Sequence, residues 1–306
     1  MRSLRIIFMG TPEFAVASLA ALVNSRHQVI GVVTAPDKPQ GRGLKPIGSA
    51  VKEFAVAANL PVLQPEKLKS EDFLQALKEL DADLFMVVAF RMLPEVVWSM
   101  PPMGTYNLHA SLLPAYRGAA PINWAIINGE TETGITTFRI RQEIDTGDIL
   151  FREHEPIHPQ DDAGSLYDRL MNRGAALVVK TADAIADGTA VGTPQPQQTG
   201  DLPLAPKIFR ETCSIDWNNP SKKVIDLIRG LSPYPAAWTT INGKSCKIFR
   251  ASLVQRNEDA APGTMRSDNR QLIEVRTADG WISIDELQPE GKKRMTSAAF
   301  LAGNRI

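Results

Sequence analysis

Residues 4–34 confine the fold more than any other stretch. Residues 4–9 (LRIIFM) form an apolar run with two adjacent isoleucines, closed by Gly10, which reads as a buried strand. Thr11 and Pro12 follow as a helix start, a side-chain cap before a first-turn proline. Phe14, Val16, Leu19 and Leu22 mark a helical face to about Val23, and residues 29–34 read as a second strand. Strand, turn, helix and strand in that order open a Rossmann-like α/β domain. The turn is Gly10-Thr11-Pro12-Glu13 rather than GxGxxG, which removes the main reason to expect NAD or FAD.

The alternation continues with strands over residues 60–63, 83–89, 104–108, 134–140 and 149–157. Helices over 51–59, 71–80, 94–100, 120–128 and 164–185 lie between and after them. One connection is different: residues 35–49 (APDKPQGRGLKPIGS) hold three prolines and three glycines, which predicts no regular structure. A loop of about fifteen residues is unusually long for such a unit and is often functional. It carries Lys38, Arg42 and Lys45, with Gly41 and Gly43 flanking the arginine.

Residues 189–206 lack periodicity and are rich in Pro, Gly and Gln, as a linker is. Beyond them one helix over 221–231 precedes short strand-like segments at 238–241, 247–253, 272–276 and 281–288. Asn242-Gly243 and Asp279-Gly280 supply turns, the latter a hairpin. The expected architecture is therefore α/β. It has a Rossmann-like, mostly parallel sheet over 1–188, a linker over 189–206, and a small OB-like β-barrel over 207–306.

At 306 residues two domains are the natural expectation. No run of eighteen apolar residues occurs, and the N-terminus runs straight into a strand without secretory architecture. Two cysteines, Cys213 and Cys246, are too few for a disulfide framework or a zinc site. A cytoplasmic chain with no membrane segment is expected. Residues 207–306 hold 16 Lys and Arg against 11 Asp and Glu, a net of +5, and the rest carries −5. A basic C-terminal third suits a polyanionic partner.

The chemistry is expected in residues 105–121 (TYNLHASLLPAYRGAAP). Asn107 and His109 are two apart and share a face of an extended chain, at the carboxyl end of a strand where open α/β sheets bind ligands. Asp145 opens an Asp-Thr-Gly turn that could set a carboxylate against the imidazole. A single Asp-Thr-Gly in an α/β chain argues against an aspartic protease. His154 and His158 have a metal-like spacing, but Pro156 between them opposes a helix, so no metal is expected.

The stretch NLHASLLPAYRGAAPINWAIINGETETGIT, followed by IDTGDIL, resembles the N10-formyltetrahydrofolate-using formyltransferases. MGTPEFA, the PDKPQGRG loop, APKI, SIDW and IRGLSPYPAA extend that likeness over essentially the whole chain. The resemblance implies 10-formyltetrahydrofolate as formyl donor, with Asn107, His109 and Asp145 catalytic. It also implies that Ser111, Leu112, Leu113 and Pro114 contact the folate. The GRG loop is similar to that of the branch whose acceptor is initiator methionyl-tRNA. That implies RNA contacts by Arg42, Lys38, Lys45 and Lys207 and a methionine pocket involving Phe14, for which core packing on a helix face is the other reading. No obligate protein partner is evident in the sequence. Leu44 and Pro46 depart from the family's loop, where lysine and an apolar residue are common. Tyr116 and Arg117 face either folate or acceptor end, or serve loop packing. The alternative is a small amine such as an amino-sugar nucleotide, which needs neither the insertion nor the basic barrel.

Overall fold

Apolar runs at strand spacing, each cut off by a glycine, proline or capping residue, recur along the chain. The computed structural model describes residues 2–40, 45–196 and 202–306. In chain order the elements begin β1 (Arg5–Gly10), α1 (Glu13–Val23), β2 (Gln28–Val33), β3 (Lys38–Gln40), β4 (Lys45–Ile47), α2 (Ala50–Ala57) and β5 (Val62–Leu63). They continue with α3 (Glu71–Glu79), β6 (Leu84–Val88), α4 (Glu95–Trp98), β7 (Thr105–His109), β8 (Arg117–Gly118), α5 (Pro121–Ile127), β9 (Glu132–Arg139), β10 (Ile149–Pro156) and α6 (Ala163–Ala186). The remainder is β11 (Leu204–Ala205), a 3₁₀ turn (Glu211–Cys213), α7 (Ser221–Leu231), β12 (Ala237–Ile241), β13 (Lys244–Val254), β14 (Met265–Ser267), β15 (Ile273–Arg276), β16 (Trp281–Pro289), β17 (Met295–Thr296) and α8 (Ser297–Leu301).

These elements gather into two compact units, one of residues 1–117, 134–155 and 167–203, the other of 118–133, 156–166 and 204–306. The first is built on a seven-stranded sheet ordered β10-β9-β7-β6-β1-β2-β5. β1 pairs in parallel with β2 and β6, β2 with β5, and β6 with β7, while β7 and β9 run antiparallel. From β1 the chain winds first toward β2 and β5, then crosses to β6 and β7. The winding reverses between β1 and β6, and at such a switch point the carboxyl ends of the strands leave a crevice for ligands. Every residue of β6 is buried, as is all of β1 after Arg5. Fully burying one such side chain contributes about 1.5–3 kcal/mol. Ile7, Met9, Phe73, Leu77, Phe85, Val87 and Val97 form one continuous core between sheet and helices.

Two local expectations are corrected. Residues 35–49 are not devoid of regular structure, because β3 and β4 form an antiparallel ladder. Pro39 and Pro46 stand directly opposite each other, so neither is asked for an N–H and the flanking pairs can carry the bonds. Thr11 does not cap α1: Pro12 occupies the cap position, with no side-chain hydrogen bond there. Its fixed φ starts the helix without one.

The second unit centres on an antiparallel sheet ordered β12-β13-β16-β15-β14, with β17 pairing to β16, which makes an open half-barrel. Asn242 and Gly243 join β12 to β13 with φ of 50° and 73°, the two positive values a type I′ hairpin requires. α7 packs Val224, Ile228 and Leu231 into a core with Ile248, Ile273, Ile282, Ile284 and Leu287. Among the described residues no helix is long and apolar enough to cross a membrane.

Candidate active site

β7 delivers its last residues to the crevice end of the sheet. Asn107 is half-buried there, and its side chain makes no hydrogen bond to another described residue. His109 is 6% exposed. Its Nε2 lies 2.8 Å from the carbonyl oxygen of Tyr116. A carbonyl only accepts, so Nε2 carries the proton and Nδ1 is the ring's other working edge. Tyr116 reaches this position with φ of 59°, and its own N–H donates to Pro203 O at 2.6 Å.

Asp145 comes from the loop between β9 and β10, and its Oδ2 stands 3.8 Å from His109 Nδ1. The imidazole and carboxylate, 36 positions apart in sequence, therefore meet as expected. Asp145 sits at φ 55°, in the left-handed region. Two positions on, a Cβ at Gly147 would lie 1.6 Å from Arg139 O, so only glycine lets the turn fold so tightly against β9. Thr146 Oγ1 donates to Glu143 O at 3.1 Å and Arg139 N to Asp148 O at 2.9 Å, closing the loop.

The Ser111–Pro114 segment divides in two. Ser111 and Leu113 are buried, with Ser111 Oγ donating to Ala115 O at 2.7 Å. Leu112 and Pro114 are half-buried and offer apolar surface. Thr136 on β9 pins the segment: its hydroxyl donates to Ser111 O at 2.7 Å and accepts from Leu113 N at 3.2 Å. Nothing marked Thr136 in the sequence, where it reads as one more strand residue.

Gln195 is the other residue that sequence reasoning missed. Its Nε2 donates to Asp145 O at 2.8 Å and Gly147 O at 2.9 Å, and its Oε1 accepts from Arg117 Nη2 at 2.6 Å. Thr193 exchanges backbone hydrogen bonds with Ile149, both 2.8 Å, so this part of the glutamine-rich segment is pinned to the first unit.

Phe14 is 5% exposed on α1, its ring edge-on to Tyr167 at 5.2 Å. Lys38 is exposed on β3, and Lys45 begins β4. Arg42 lies outside the described residues. Lys207 is exposed, its ammonium 5.5 Å from the centre of the Phe209 ring. Burial raises the thiol pKa of Cys213, and that of Cys246 to about 11, so neither offers a ready thiolate. Among the described residues no three His, Cys, Asp or Glu side chains gather as a metal site.

Comparison with known proteins accounts for both units. The formyl transferase family model matches residues 4–182, and the model of the formyl transferase C-terminal domain matches 207–305. Methionyl-tRNA formyltransferase of Bacteroides fragilis is 52% identical over 307 residues, covering 98% of this chain and 95% of its own. That of Parabacteroides distasonis is 53% identical over 311 residues, covering 98% and 95%. Among solved structures, HypX from Aquifex aeolicus in complex with tetrahydrofolic acid aligns with a TM-score of 0.65 at 19% identity, over 98% of this chain and 47% of that one. The sugar 3N-formyl transferase WlaRD, solved with dTDP and 5-N-formyl-THF, aligns at 0.67 and 21%, over 96% and 100%. By these matches the chain belongs to the formyl transferase family and, within it, to the methionyl-tRNA formyltransferases.

Proposed function

We propose that this chain transfers the formyl group of 10-formyltetrahydrofolate to the amino group of initiator methionyl-tRNA, giving N-formylmethionyl-tRNA for translation initiation. Identity of 52–53% to methionyl-tRNA formyltransferases, along nearly the full length of both chains, carries the choice of acceptor. The sugar enzyme shares the fold at 21% identity.

The residues present suit a folate donor. Leu112 and Pro114 give half-buried apolar surface on a segment that Thr136 holds in place, and Asn107, on the strand before it, has an amide unengaged by the described residues. When bound, the donor supplies the formyl carbon. Asn107 then donates an N–H to the formyl oxygen as that oxygen gains negative charge during attack, where a preorganised donor is worth most. His109, fixed through Nε2, presents its Nδ1 edge to the reacting centre. Asp145, 3.8 Å away, faces that edge and takes the proton from the attacking amine, directly or through a water. The tetrahedral adduct collapses as the bond between the formyl carbon and the donor nitrogen breaks, and that proton is returned to the departing nitrogen.

Residues 1–188 serve as catalytic domain and 207–306 as tRNA-binding domain, joined by 189–206. Lys38, Lys45, Lys207 and Arg42 provide cations for phosphates, in keeping with the net +5 of the C-terminal third. Phe14 contributes to the methionine pocket. A cytoplasmic location, where charged tRNA is available, is the one that suits this acceptor.

The test offers 10-formyltetrahydrofolate with either methionyl-tRNA or an amino-sugar nucleotide. Formylation of the tRNA alone, with affinity falling steeply as salt rises, is the expected result. Formylation of the sugar alone, with salt-insensitive binding, overturns the assignment.

A further inference from the structure

A carboxylate carried on a loop is aimed only as well as its backbone is held. Asp145 adopts φ 55°, a region that side-chain-bearing residues enter where their surroundings hold them. The Asp145 and Gly147 carbonyls are both held by one side chain, Gln195, at 2.8 and 2.9 Å. The same carboxamide accepts from Arg117 at 2.6 Å. Arg117 follows Tyr116, whose carbonyl holds the His109 ring. The contacts close a circuit: His109 to Tyr116, along the chain to Arg117, across Gln195 to Asp145, and back over 3.8 Å to His109.

Only a carboxamide fits this node. A guanidinium can only donate and two carbonyls can only accept, so the node needs one acceptor and two donor hydrogens on a single side chain. The same constraint sets which end of the amide is oxygen. Glutamate would still accept from Arg117 but would turn an oxygen toward two carbonyl oxygens. Methionine would keep the length and lose all three bonds. The backbone beneath Gln195 is itself fixed, two residues earlier, by the paired bonds between Thr193 and Ile149.

We propose that Gln195 is a positioning residue that sets the separation and orientation of His109 and Asp145, and so acts on the chemical step through Asp145. This rests on the catalytic reading of Asp145 given above. Misplacing a reacting group by about 1 Å can cost on the order of a hundredfold in rate. Gln195→Glu and Gln195→Met should therefore lower kcat about 10- to 100-fold, with KM for donor and methionyl-tRNA within about threefold of wild type.

The experiment measures steady-state formylation of methionyl-tRNA by both variants, by Asp145→Asn, and by Gln195→Met combined with Asp145→Asn. Thermal melting checks that each is folded. Because Gln195 acts through Asp145, the double variant should be no slower than Asp145→Asn alone, whereas a residue contributing independently would multiply the loss. Folded Gln195 variants with wild-type kcat beside an impaired Asp145→Asn overturn the inference, as does a multiplicative loss in the double variant. Wild-type turnover by Asp145→Asn instead overturns the catalytic reading on which the inference stands.

Discussion

The carbonyl of Tyr116 accepts the Nε2 proton of His109 at 2.8 Å, so the backbone of one loop chooses the tautomer of the imidazole. That choice directs Nδ1 toward Asp145. Imidazole ¹⁵N shifts of His109 in neutral solution should report the Nε2-protonated form. The Nδ1-protonated form would mean that the loop does not hold the ring in this way.

Asn107 has a half-buried amide with no hydrogen-bond partner among the described residues, as a residue reserved for an oxyanion should. Asn107→Ala should lower kcat by about 10²–10³, or about 2.7–4 kcal/mol of barrier, the usual effect of removing one such donor. Folate affinity, read by equilibrium binding, should change little. Unaltered turnover in a folded variant would remove Asn107 from the mechanism.

Gly147 approaches Arg139 O so closely that a Cβ would lie 1.6 Å from it. Gly147→Ala must push the Asp-Thr-Gly turn away from β9, costing about 1–3 kcal/mol of stability, as overpacking does. It should also lower turnover by moving Asp145. A variant that melts and turns over like wild type would show that the turn tolerates displacement.

His27 gives the first unit a pH dependence. Its Nδ1 accepts from Leu4 N at 3.2 Å, and its buried ring brings Nε2 within 3.2 Å of Asp183 Oδ1 without hydrogen-bond alignment. Burial outweighs the attraction of Asp183 and lowers the pKa from 6.5. A depressed histidine binds fewer protons folded than unfolded, so stability is fully present above about pH 6.5 and declines as pH falls toward the lower folded value. Denaturant titrations of His27→Gln should show a shallower loss of stability below pH 6.5 than wild type. Parallel curves would contradict this.

The parts legible in the sequence are those decided by local pattern. β1, β6 and α7 follow from apolar periodicity, and the Asn242-Gly243 turn from its need for two positive φ angles. Asn107 and His109 were visible because strand alternation places them on one face. The β3–β4 ladder was not, since prolines and glycines argue against a strand until Pro39 and Pro46 are known to face each other. Thr136 and Gln195 were hidden for another reason. Their roles are hydrogen bonds to backbone groups and to the Arg117 side chain, about 20 to 80 positions away, which leave no periodic trace.

The central claim is that His109 and Asp145 act together on an amine bound to tRNA. Single-turnover formylation of methionyl-tRNA, with donor and tRNA saturating, tests it most directly when His109→Ala is set beside wild type. The account expects the transfer rate to fall at least about a hundredfold, with both substrates still bound at wild-type affinity. A rate within twofold of wild type would contradict it.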